Sequence, residues 1–148
     1  MSLKATLTSA MKEAMKAKDA VRLSTVRMTL AAIKNKEIAA VGELDDAAVT
    51  SIISTMVKQR REAAEAFRNG DRLELALKEE AELQILQSFL PEQLSETKVR
   101  ALVDAVVADL GATSMRDMGA VMKVLTEKTL GQADGKLVSE LVKKRLSA

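Results

Sequence analysis

The sequence predicts an all-α protein, and three observations carry that prediction. A single proline and six glycines in 148 residues leave helices few interruptions. Two aromatic residues, both Phe, beside abundant Ala, Leu, Met, Glu and Lys favour helix over strand. Apolar residues then recur at spacings of three and four along most of the chain, the period of an amphipathic helix. The expected architecture is an N-terminal part with long helices and an antiparallel helical hairpin over residues 1–90, followed by a small three-helix module over residues 91–148. Pro91, in Phe89-Leu90-Pro91-Glu92-Gln93-Leu94-Ser95, marks the division, because the residue before a proline is biased away from helical angles.

The first helix is expected after the N-cap Ser2, with Leu3, Leu7, Ala10, Met11, Ala14 and Met15 on one face. Asp19 caps the second, whose stripe is Leu23, Val26, Leu30 and Ile33. Gly42 lies in a break, and Asp45 or Asp46 caps a third helix of about 24 residues, roughly 36 Å long, carrying Val49, Ile52, Ile53, Met56, Ala63 and Phe67. Asn69-Gly70-Asp71 supplies a glycine stop and a new N-cap, so a fourth helix over about 72–90 should fold back on the third, with Leu73, Ala76, Leu83, Leu86 and Leu90 inward. After Pro91, Ser95 caps a fifth helix bearing Val99, Leu102, Val103, Val106, Val107 and Leu110, stopped by Gly111. The sixth begins near Ser114-Met115-Arg116-Asp117, uses Met118, Val121, Met122 and Leu125, and ends at Gly131. Asp134-Gly135 opens a seventh with Val138, Leu141, Val142 and Leu146. The methionines Met11, Met15, Met28, Met56, Met118 and Met122 are read as core filler.

Composition also excludes function classes. There is no cysteine, hence no disulfide, thiolate metal site or thiol nucleophile, and no histidine, the side chain best suited to proton transfer near neutrality. No P-loop, glutaminase nucleophile constellation or metal-ligand cluster is legible, so neither a metal nor another cofactor is expected. The apolar runs are too short to span a bilayer and the N-terminus shows no signal-peptide h-region, from which a cytoplasmic location and no membrane partner are expected.

Net charge is only +2, but its distribution is uneven. Residues 1–36 hold eight bases against two acids, residues 37–90 hold six against eleven, and residues 116–148 hold seven against four. Arg60 falls on the apolar face of the third helix, where a charge requires a partner. Across the expected hairpin that partner is Glu79, Glu80 or Glu82, a structural ion pair setting helix register. Lysines near the helix ends of the C-terminal module can attract phosphate, although aromatic residues that would stack unpaired bases are absent.

Several segments together resemble the GatB/YqeY family, in particular its short stand-alone YqeY-like members. They are Lys58-Gln59-Arg60-Arg61-Glu62 with Phe67; Leu75-Ala76 with Lys78-Glu79 and Glu82-Leu83; Phe89 to Leu94; and Met118-Gly119 through Gly131, Asp134-Gly135-Lys136 and Val138-Ser139. The resemblance implies an all-α fold whose C-terminal part is related to the tail of the B subunit of tRNA-dependent glutamine amidotransferase. In that enzyme the tail helps grip tRNA, while a separate catalytic body amidates mischarged tRNA with glutamine and ATP. This chain lacks the body, so it is expected to be non-catalytic, binding tRNA or another RNA or assisting amidotransferase or aminoacyl-tRNA machinery. By the same resemblance Lys123, Lys128, Lys136, Lys143 and Lys144 would contact phosphate, with Gly119, Gly131 and Gly135 shaping the surface. The alternatives are a protein-binding adaptor without RNA contact and, disfavoured by the missing groups, a carbon–nitrogen ligase with glutamine as amido donor.

Overall fold

The computed structural model describes residues 1–148, and it is all-α. Its helices are α1 (Leu3–Ala17), α2 (Ala20–Ala40), α3 (Asp46–Asn69), α4 (Leu73–Gln87), α5 (Glu96–Leu110), α6 (Met118–Lys128) and α7 (Gly135–Ser147), with a 3-10 turn at Met115–Asp117 before α6. Five starts are fixed by side-chain caps. Ser2 Oγ accepts from the Ala5 N–H, Asp19 Oδ1 from Arg22, Asp45 Oδ1 from Ala48, Ser95 Oγ from Lys98 and Asp134 Oδ1 from Lys136. Each cap satisfies one otherwise orphaned N–H and contributes about 1 kcal/mol.

Three boundaries differ from expectation. At the α3–α4 turn it is Asp71 that takes the left-handed conformation (φ 58°), while Gly70 stays at φ −93°. Asp tolerates that region, and the turn is closed by the Arg72 N–H donating to Phe67 O at 2.7 Å. Asp71 therefore does not cap α4; Arg72 occupies the cap position without a side-chain bond. Next, α4 stops at Gln87 rather than 90. The Ser88 hydroxyl donates to Ile85 O, Phe89 and Leu90 bond back three residues, and Pro91 has no N–H with which to continue. Last, α6 ends at Lys128, ahead of Gly131, which sits at φ 75° in the following turn.

The chain forms two compact units, Met1–Pro91 and Glu92–Ala148. In the first, α1 packs on α2, α3 on α4 and α2 on α4. Its core is Leu7, Ala10, Val26, Ile33, Val49, Ile53, Val57 and Leu86, with Phe89 and Leu90 half-buried against it. In the second, α5, α6 and α7 pack on one another around Val99, Val103, Val106, Val107, Val121, Leu125, Val138, Leu141, Val142 and Leu146. Glu92 to Leu94 belong to this unit. The Gln93 side-chain amide donates to Gly131 O, the Leu94 N–H to Gln132 O and the Gln132 amide to Glu92 O. Leu73 and Leu110, expected inward, are 55% and 48% exposed, the one standing first in α4 and the other last in α5. Met15 and Met28 are likewise exposed rather than core filler.

Charged groups tie α3 to α4. Arg60 donates through Nη1 to Glu79 Oε2 (3.3 Å) and through Nη2 to the Met28 sulfur (3.5 Å). Its Nε lies 3.1 Å from Glu82 Oε2, a charge contact whose N–H is not aligned for a hydrogen bond. Glu80 is not part of this cluster. It faces the other edge of α4 and takes a bidentate pair from Arg68 at 2.6 and 2.8 Å. Nearer the N-terminus, Lys4 donates to both oxygens of Glu37, which also accepts the Leu44 N–H. The Lys4 hydrogen bond, then the Leu44 amide, holds the Glu37 carboxyl below its ordinary range, and Arg68 does the same for Glu80.

Arg60→Leu should destabilise the chain by about 3 kcal/mol in urea unfolding, since it strands Glu79 and the buried Glu82 without a counter-charge. An undisturbed unfolding midpoint would show that the cluster is solvated and dispensable. Depressed carboxyl pKa values mean that Glu37 and Glu80 stabilise the fold fully above the ordinary value of 4.5 and lose that contribution as pH falls through their lower folded values. Their partners Lys4 and Arg68 are raised and so stay charged up to strongly alkaline pH. Stability measured by unfolding from pH 6 downward should therefore decline below about pH 4.5, less steeply in Glu37→Gln.

Candidate functional site

The C-terminal unit carries the residues singled out for phosphate contact. Lys123 and Lys128 lie on α6, and Lys136, Lys143 and Lys144 on α7; all five are exposed. The apolar stripes Val121–Leu125 and Val138–Leu141–Val142 turn inward, and that orientation sends the intervening lysines to solvent. Lys123, Lys128 and Lys144 have no ion-pair partner. Two arginines of the unit are engaged, Arg145 Nε with Asp104 Oδ1 and Arg100 Nη2 with Glu96 Oε1, both at 3.1 Å and exposed. Pairs of that kind are worth little and are readily exchanged for another anion.

Of the five lysines, the structure places Lys144 beside further cations. A cavity of about 370 Å³ between α5 and α7 is lined by Val103 and Leu141, by the cations Arg100, Lys144 and Arg145, by the Asp104 carboxylate and by the last residue, Ala148. Arg100 was not legible as a site residue, because it lies 44 positions before Lys144 and only the packing of α5 on α7 joins them. Such an arrangement can hold an anion by charge and by the planar guanidinium forks, with Asp104 and Glu96 displaced from their partners.

The three glycines differ in kind. Gly131 is buried, has φ 75° and presents its carbonyl to Gln93 at 2.6 Å, so it builds the unit rather than a surface. Gly119 and Gly135 lie exposed in the first turns of α6 and α7, with nothing within 4 Å of a Cβ built on either. Neither needs glycine for internal packing, and a helical glycine forgoes roughly 0.5–1 kcal/mol relative to alanine. Gly119→Ala should accordingly raise the thermal midpoint, whereas Gly131→Ala should lower stability by about 1 kcal/mol or more, the cost of forcing a side chain into the left-handed region. Equal effects at both positions would contradict this division.

Comparison with known proteins places the chain. The sequence profile described as "Yqey-like protein" matches residues 4–146. Similar proteins include "Altered inheritance of mitochondria protein 41, mitochondrial" of Lachancea thermotolerans, 37% identical over 72% of this chain and 58% of the relative. The protein of the same name in Eremothecium gossypii is 39% identical over 70% of this chain and 58% of the relative. That of Saccharomyces cerevisiae strain YJM789 is 30% identical over 85% and 67%. The chain thus spans about three-fifths of the length of the first two. These names overturn the expectation of a cytoplasmic location, since the relatives are named as mitochondrial and lack of an h-region does not report on import into an organelle. No helix is long and apolar enough to cross a membrane. With its profile matched almost end to end, the chain belongs to the YqeY-like protein family.

Proposed function

We propose that the C-terminal unit binds RNA, tRNA in the first instance, through phosphate contacts, either alone or in support of a tRNA-dependent amidotransferase. The observation that carries this reading is the set of exposed lysines on α6 and α7 without ion-pair partners, reinforced by Arg100 and Arg145 around the α5–α7 cavity. An exposed lysine without an ion-pair partner can neutralise a phosphate and so release a counterion condensed on the RNA, and that release drives association. Gly119 and Gly135 leave backbone uncovered at the starts of the same two helices, where a sugar-phosphate chain can approach closely. With no aromatic residue in this unit, stacking on bases contributes nothing. Recognition would then depend on backbone and shape, and the chain would position RNA rather than transform it.

Filter binding of bulk tRNA at increasing salt tests the reading. Five lysine contacts predict a slope of log affinity against log salt of roughly −3.5 to −4.5, and each Lys→Glu change among the five should weaken binding and flatten that slope by about one. Binding that is undetectable at low salt, or that ignores these substitutions, rejects the proposal.

A further inference from the structure

The N-terminal unit leaves one helix face unexplained. On α2 the residues Val21, Ser24, Met28, Ala31, Asn35 and Ile38 follow the three-four alternation of heptad positions a and d, and all six are exposed. Val21 is 48% exposed, Met28 41% and Ile38 66%. The opposite face of the same helix buries Val26, Thr29 and Ile33 in the unit's core. Four of the six are apolar, so α2 carries a second seam, which the unit touches through Arg60 Nη2 at the Met28 sulfur and otherwise leaves open. That seam extends over about 26 Å, enough for a helix of comparable length to lie along it.

A second observation marks the end of that seam. Val41 closes α2 at φ 54°, ψ 48°, a conformation that β-branched residues rarely adopt, and it is 92% exposed. Glycine would make the same turn without strain. Nothing inside the unit rewards a valine there, so its apolar surface, one turn beyond Ile38, has its use outside the unit.

Charge selects the occupant. Arg27 and Lys34 occupy the heptad g positions beside the seam, where partner-selecting ion pairs form in coiled coils, and the facing e positions are the small Ala32 and Ala39. The one acid on α2, Glu37, is already held by Lys4. A second copy of α2 would bring no free carboxylate to these cations, and an antiparallel pair would set them against one another. Ala32 also borders a cavity of about 480 Å³ between α2 and α3, floored by Leu44, Ile52 and Met56, which can admit a bulky side chain from a helix lying on that flank. We infer that the outer face of α2, from Val21 to Val41, docks an acidic amphipathic helix of a partner protein, with apolar anchors on the seam and carboxylates facing Arg27 and Lys34. This surface is separate from the lysines assigned to RNA and does not depend on that assignment.

The full chain is titrated by calorimetry with a synthetic acidic helix bearing Leu at heptad a and d positions and Glu at the flanking ones. Saturable binding is expected, weakened roughly tenfold or more by Met28→Glu or Ile38→Glu. The double change Arg27→Glu, Lys34→Glu should weaken it several-fold. Because Ile38, Arg27 and Lys34 are exposed, circular dichroism and the thermal midpoint should be unchanged in their variants; Met28→Glu also alters the Arg60 contact, and Val21→Ser replaces it if it shifts the midpoint. Absent binding overturns the inference, as does binding that ignores these substitutions or is equally tight for a peptide with Lys in place of Glu. It is also overturned if sedimentation finds a dimer that Ile38→Glu dissociates, since a second copy then occupies the face. Phosphatidylserine vesicles bound with the same residue dependence, without peptide binding, would assign the face to a membrane and overturn it too.

Discussion

The structure depends on burying one apolar stripe per helix. Helices of 11 to 24 residues are marginal in water by themselves, so each exists because its stripe finds partners. With only two aromatic residues available, those partners are aliphatic, and the first unit closes on a core of Val, Leu, Ile and Ala and the second on Val and Leu. Valine supplies most of the second core, which suits short helices packed closely, because its branched side chain loses little freedom on burial and fills space near the helix axis. Two separate cores follow from this economy, with the segment from Glu92 to Leu94 bound by hydrogen bonds to the Gly131–Gln132 turn of the second.

What could be read directly from the chain was whatever is local. Ser2, Asp19, Asp45, Ser95 and Asp134 cap helices because an N-cap needs one side-chain oxygen and an N–H two or three residues on, both adjacent in sequence. Valines at helical spacing on α5 and α7 are buried for the same reason. Choices decided by competition were harder. At Gly70-Asp71 the sequence offers two residues able to turn left-handed, and only the closing bond from Arg72 to Phe67 determines that Asp71 does so. Glu79, Glu80 and Glu82 are equivalent as letters. Rotation of α4 sends Glu80 to Arg68 and the other two to Arg60. Arg100 could not be associated with Lys144 and Arg145 without the packing of α5 on α7, so only part of the candidate site was legible.

Threonines show the converse case, polar residues placed inside at little cost. Thr25 and Thr29 are fully buried in α2, each hydroxyl donating to the carbonyl four residues back, and Thr129 does the same to Leu125 at the end of α6. A buried hydroxyl satisfied within its own helix needs no partner from another element. Such a residue therefore reads as polar in the sequence while behaving as a core residue in space. In α2 this obscured the true inward face, because the counted apolar residues Leu23 and Leu30 are only half-buried while Thr25 and Thr29 are buried completely.

The same helix shows why a second interface is hard to see from sequence. Hydrophobic periodicity is legible when one face is apolar and the other polar; where apolar residues line both faces the two signals cancel, and the helix looks featureless. α2 and α4 both have this character, and both leave large apolar side chains in solvent, Val21, Met28 and Ile38 on one and Leu73 and Leu77 on the other. Their charges separate them. Around the α2 seam the free groups are cations, whereas on α4 Glu74 and Lys78 lie within one turn and can neutralise each other, leaving no sign to select a partner. An apolar face acquires specificity only when its border carries unbalanced charge, because apolar area sets how much can be gained by covering it and the border decides which molecule can do so. On that criterion α2, not α4, is the face shaped for a particular neighbour.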